Sequence, residues 1–227
     1  MPAVAYTLIP WVAMLAGAAI AAMQPPSAAL KSGVQHFAAG VVFAAAAGEI
    51  LPDLKHEGAA IPVLAGGAVG VAVMLLVKHL GARTKSAFGR VAVTAVDLLI
   101  DGLVLGLGFA AGAKQGLLLT VALTIEILFL GLTIALALRE SIASRARVLA
   151  GTAAIGLLLP VGALLGAPVG QLPPRWLTGF FAFGLVALLY LVVEELLVEA
   201  HEGPESPGVT AMFFAGFLLL LVLEESL

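Results

Sequence analysis

Two stretches of the chain, VDLLIDGLVLGLG and TIEILFLGLTIALAL, set Asp97, Asp101 and Glu126 inside otherwise apolar sequence of helical length. An acidic side chain near the middle of a bilayer costs ~2.5 to 3.5 kcal/mol even on insertion scales that include relaxation, so three of them call for a compensating interaction. Asp97 and Asp101 are four residues apart, which puts both on one face of a helix about one turn from each other. Carboxylates that close repel unless a proton or a cation lies between them. Two chemistries satisfy this. One is a protonated or hydrogen-bonded polar seam between helices, and the other is a cation site.

The elements that would position these acids are membrane helices. Of the 227 residues, 62% are hydrophobic and 11% charged, and the mean hydropathy is +1.14, a balance foreign to a soluble domain of this length. The whole chain therefore reads as one all-α integral membrane domain, residues 1–227. There is no cysteine, which removes disulfides and thiolate metal ligands from any mechanism. The 26 glycines, poor helix formers in water, suit helices that must approach closely in lipid.

Apolar runs long enough to span ~30 Å of hydrocarbon at ~1.5 Å per residue predict eight helices, at about 4–23, 34–54, 60–79, 89–111, 115–138, 148–167, 176–198 and 208–223. Pro10 and Pro160 fall inside such runs and should bend them. No basic residue precedes the first run, and its first lysine, Lys31, follows it, so it reads as a retained helix and not a signal peptide. The connectors after helices 1, 3 and 5 hold Lys31, then Lys78, Arg83, Lys85 and Arg90, then Arg139, Arg145 and Arg147. The other side holds Lys55, Lys114 and Arg175. This asymmetry predicts a multi-pass protein of the plasma or inner membrane with both termini outside the cytosol.

The sequence also echoes itself. FAAGVVFAAAAGEILPDLKHEG in helix 2 and FAFGLVALLYLVVEELLVEAHEG in helix 7 share FAxGxV at one end and HEG at the other, the second copy being one residue longer. Asp97-Leu-Leu-Ile-Asp101-Gly102-Leu103 similarly lines up with Glu126-Ile-Leu-Phe-Leu130-Gly131-Leu132. Helices 2 and 7 are five crossings apart, so matching segments enter from opposite sides. The expectation is a 3+2+3 arrangement in which helices 1–3 and 6–8 form an inverted repeat.

With these motifs the chain resembles the ZIP (Zrt- and Irt-like protein) family of divalent metal transporters, over nearly its full length. The family's fourth helix carries His-Asn-x-x-Glu-Gly-Leu-Ala-Ile-Gly. DLLIDGLVLG fits it with Asp97 at the His, Leu98 at the Asn and Asp101 at the Glu, while Gly102 and Gly106 are kept. In the fifth helix Glu126 falls at the first His and Leu130 at the later acid; a register one residue different would pair Glu126 with the family's second residue. Glu195-Leu-Leu-Val198-Glu199-Ala200-His201 resembles the end of helix 7 in the bacterial branch, without its proline, and Glu49-Ile-Leu-Pro52-Asp53 resembles the end of helix 2. The resemblance implies eight helices with external termini and a divalent cation as substrate. The loss of both motif histidines and of the helix 5 acid implies one metal site instead of two. A site of carboxylates favours hard cations such as manganese, with zinc and ferrous iron also accommodated.

The expected function is transport of a divalent metal cation of the zinc, iron or manganese class toward the cytosol, along a path between helices 2, 4, 5 and 7. Asp97, Asp101 and Glu126 would hold the ion midway, Glu49 and Asp53 would attract it at the outer mouth, and Glu195, Glu199 and His201 would pass it inward. Glu194 and Glu195 are adjacent, hence about 100° apart around the helix, and cannot face one site equally. Solvated helix ends are the plainer reading of Glu49, Asp53 and Glu195. His36 reads as an ordinary interfacial histidine, Glu224 and Glu225 as the wet end of the last helix, and Trp11 and Trp176 as packing or interface anchors. Partners would be membrane lipid and the metal ion, with a homodimer as an option and no nucleic acid. Two other classes fit less of the sequence. One is a transport-inactive metal sensor or scaffold. The other is an intramembrane aspartyl protease, an enzyme whose two Asp residues usually sit on different helices.

Overall fold

Proline and glycine explain most of how the helices run and meet. A computed structural model describes the chain except for Met1, Gln24, Pro25, Asp53, residues 55–59, residues 84–86 and Glu205. The described residues hold eight helices long and apolar enough to cross a membrane, and no strand. They are α1 Ala3–Met23, α2 Ala28–Ile50, α3 Ala60–Ala82, α4 Val91–Ala111, α5 Ala113–Arg139, α6 Arg145–Gln171, α7 Pro174–His201 and α8 Pro207–Ser226. Helix 2 starts at Ala28 and not at residue 34, because the Ser27 hydroxyl caps it by accepting from the Leu30 N–H at 3.3 Å. Helix 7 likewise starts two residues before the expected 176, where Pro174 occupies the first turn. It also runs three residues past the expected 198, to His201.

Pro10 and Pro160 interrupt their helices three residues upstream, at Thr7 and Leu157. Proline has no N–H to give the carbonyl four residues back, at Tyr6 and at Gly156, and its ring crowds that carbonyl. A second pair of irregularities lies in α2 and α7. Ala46–Ile50 and Leu191–Leu196 are wound as π-helix, closed by Leu51 N–H to Ala46 O and by Leu197 N–H to Val192 O. Each such turn holds an extra residue and re-aims the side chains around it.

In lipid no hydrophobic force drives helix against helix, so association depends on close packing. α1 packs along α5, and α4 along α6; α2 packs along α8, and α3 along α7; α4 and α5 also lie side by side. Small residues permit each contact. A Cβ at Gly17 of α1 would overlap the Leu128 carbonyl of α5, and one at Gly131 of α5 would overlap the Met14 carbonyl of α1. Gly102 of α4 lies against the Leu159 carbonyl of α6, and Gly162 of α6 against that of Leu99. Gly40 and Gly216 do the same between α2 and α8, as does Gly66 of α3 against Gly179 of α7.

The result is a centre and a periphery. In α2 72% of the spanning window is buried, against 17% in α3 and 11% in α8, which turn long apolar faces outward. Leu64, Val69 and Leu75 of α3 and Phe214, Leu218 and Val222 of α8 lie on those faces, where lipid covers them. The acid-bearing stretches of α2, α4, α5 and α7 all meet in the interior.

Candidate functional site

The site grows from four helices that each carry an acid inward. Asp97 and Asp101 of α4 are 7% and 4% exposed, Glu126 of α5 is 1% exposed, and Glu49 lies buried in the π-turn of α2. In the π-turn of α7, Glu194 faces outward while Glu195 is half-buried. Glu194 forms an ion pair with Lys78 of α3, whose ammonium also lies 6.0 Å from the centre of the Tyr190 ring.

Glu195 is the residue whose place the structure redefines. Expected at the inner exit, it lies within electrostatic range of Asp97, Asp101 and Glu126, so four carboxylates and not three share the middle of the bundle. Asp97 Oδ1, Asp101 Oδ2 and both oxygens of Glu126 are buried and receive no hydrogen bond among the described residues. A hydrogen-bonded polar seam would satisfy these atoms, and here none is supplied. Buried carboxylate oxygens left this way cost several kcal/mol unless a cation or protons complete them. Among the described residues no three acid or imidazole side chains close into a metal cage. The carboxylates are neighbours that do not close on one point, and an ion among them would need water or backbone oxygens as its remaining ligands.

On the Glu49 side of this cluster the packing is tight. A cavity of about 10 Å³, with room for one water at most, is bounded by Glu49, Ile50, Leu107, Gln115 and Phe181. Asp53 lies outside the described residues. Glu224, expected in water, is instead half-buried where α8 crosses α2, with its carboxylate against Gly48. It adds an acid to this end of the bundle. The sequence signal for it was only an acid less than a turn from the helix end.

At the opposite, basic end, Glu199 is already engaged. It forms an ion pair with Lys31 at 3.4 Å and accepts from Gln35 Nε2 at 2.5 Å. His201 ends α7 and contacts Leu197 O through Nδ1 at 2.5 Å. His36 is not the interfacial histidine expected. It is 2% exposed, clamped between α2 and α7 where the Ser32 hydroxyl donates to Ala200 O at 2.6 Å, and its ring meets that of His201 at 5.0 Å. Trp11 behaves as a packing residue, its Nε1 donating to Ala153 O at 3.1 Å, whereas Trp176 lies exposed beside Arg175.

No protein-family model matches the chain. Over 150 residues, 66% of its length, it is 32% identical to the zinc transporter GufA of Myxococcus xanthus, a transporter and not an enzyme by name. The match covers 59% of that protein, so the chain spans less than two thirds of this relative.

Proposed function

We propose that this chain carries a divalent metal cation across a membrane through the carboxylates of α2, α4, α5 and α7, as a ZIP-type transporter and not as an enzyme. The observation that carries the reading is the cluster of Asp97, Asp101 and Glu126, buried with acceptor oxygens that no donor among the described residues satisfies, and with the half-buried Glu195 in electrostatic range. Only a cation or protons complete such a set, and a divalent ion offsets two charges at once. Glu49 and Glu224 stand on one side of the cluster, Glu199 and His201 on the other, so an ion that leaves the centre in either direction meets a further acid. Zinc is the first substrate to test, because the similar Myxococcus protein is named a zinc transporter; manganese and ferrous iron belong to the same class of cargo.

An inverted repeat is part of the proposal. Exchanging α1 with α6, α2 with α7, α3 with α8 and α4 with α5 turns the α1–α5 contact into α6–α4 and the α2–α8 contact into α7–α3, both of which occur. The two prolines and the two π-turns exchange in the same way. Such symmetry suits a carrier whose halves rock about a central site.

The test is uptake. Purified protein in vesicles should accumulate zinc down its gradient, and vesicles without protein should not; protein-containing vesicles that match empty ones for zinc, manganese and ferrous iron alike would refute the carrier reading. For orientation, the basic residues clustered at the ends of α1, α3 and α5 favour a topology with that end facing the cytosol and both termini outside. A cysteine introduced at position 3 or 226 in intact cells should then react with a membrane-impermeant maleimide. Reaction only after permeabilisation would reverse the assignment.

A further inference from the structure

The carrier reading puts His201 beside the way out of the central acids but gives no role to the ring it meets, that of His36 on α2. His36 Nδ1 lies 2.9 Å from Ser32 O, and His201 Nδ1 lies 2.5 Å from Leu197 O. A carbonyl can only accept, so in both rings Nδ1 carries a proton, and in the neutral imidazole the lone pair is on Nε2. Metal-binding histidines are set up in this way, with the far nitrogen donating to a backbone carbonyl so that ring orientation and tautomer are held.

His36 Nε2 is buried and has no hydrogen-bond partner among the described residues, and neither has the Oε1 of the adjacent Gln35. With His36 neutral, both atoms are acceptors. What the patch lacks is therefore electropositive. The ring centres lie 5.0 Å apart and the planes meet at 63°. Two imidazoles bound through Nε2 to one tetrahedral ion at ~2.0 to 2.1 Å would hold their centres roughly 5 Å apart. Glu199, tied to Lys31 and Gln35, contributes its charge without being required as a ligand.

We infer that His36 and His201 form a second cation site, specific for borderline ions such as zinc or cobalt, that joins the ends of α2 and α7. It is independent of the central carboxylates as a binding site; only its service as a station on the transport route rests on the carrier reading. Two nitrogen donors select against magnesium and calcium, which seek oxygen. An ion held there ties together two helices whose interior acids flank the proposed path.

The experiment is a zinc titration of the purified full-length chain against a chromophoric chelator, repeated with His36→Phe, His201→Phe and Asp101→Ala. Phenylalanine keeps the ring contact and removes the nitrogen. Each His→Phe variant should weaken one zinc equivalent by at least about tenfold, the lower bound for changes even beyond the ligand shell. Asp101→Ala should retain that equivalent, and excess magnesium should not displace it. Cobalt(II) should give visible d–d absorption in the parent and in Asp101→Ala, and lose it in both His→Phe variants. Should His36→Phe fail to fold, the exposed His201→Phe decides the matter. Parent-like zinc binding in a folded His→Phe variant would overturn the inference, leaving an aromatic contact only. Loss of all zinc from Asp101→Ala would also overturn it while sparing the carrier reading. Unchanged uptake by Asp101→Ala with zinc still lost in the His→Phe variants would do the reverse.

Discussion

We expect Asp101→Ala to abolish cation uptake while the protein remains folded. Asp101 lies within electrostatic range of Asp97, Glu126 and Glu195. It is 4% exposed, and its Oδ2 accepts no hydrogen bond among the described residues. Truncating a residue with a buried partner usually strands that partner and costs ~3 to 5 kcal/mol. Here the neighbours are like charges, so removing one acid relieves repulsion, and the lost side chain strands nothing. The unfolding midpoint in detergent should therefore shift by no more than about 4 °C, the scale of ~1 kcal/mol for a chain of this size. Initial uptake in vesicles should fall to the level of empty vesicles. A folded variant that still takes up metal at the parent's rate would move the site away from α4.

Gly102→Ala, one residue on, has the opposite signature. A Cβ there would overlap the Leu159 carbonyl and come within 2.9 Å of the Leu159 carbonyl carbon and 3.1 Å of Ala163 N. All three are backbone atoms of α6, which no rotamer change can move aside. α4 and α6 would have to separate along a seam that Gly162 and Gly166 also hold closed. Overpacking of this kind costs ~1 to 3 kcal/mol or more, against a few tenths gained from helix propensity. Gly67→Ala of α3 is the control, since its Cβ would meet nothing nearer than Val186 Cγ2 at 3.6 Å. We expect Gly102→Ala to be recovered in much lower yield, with a midpoint at least about 5 °C lower, and Gly67→Ala to match the parent. Equal thermal stability of the two would show that the α4–α6 contact is looser than the geometry states.

Sequence alone determined the number of spans and the place of Asp97, Asp101 and Glu126 within them. Crossing a bilayer is a local requirement, met or failed by some twenty consecutive residues, so the eight runs are visible without knowing what they touch. The same local cost marks Asp97, Asp101 and Glu126, because an acid in such a run is anomalous wherever the helix packs. The interruptions at Thr7 and Leu157 also follow from Pro10 and Pro160, since proline acts only on its own preceding turn.

Only the tertiary structure decided what meets what. His36 and His201 are 165 residues apart, and nothing in either neighbourhood announces a contact that depends on how α2 docks on α7. Glu199 looked like an open ligand from its motif, yet Lys31 and Gln35 of another helix take it up. Glu195 owes its place among the central carboxylates to a π-turn, and an inserted residue rotates everything beyond it by about 100°. Glu224 reads as the frayed end of a helix until α8 is laid across Gly48. Hydropathy and charge act within one segment, whereas facing and partnership depend on helix docking, which the close glycine contacts establish between segments far apart in the chain.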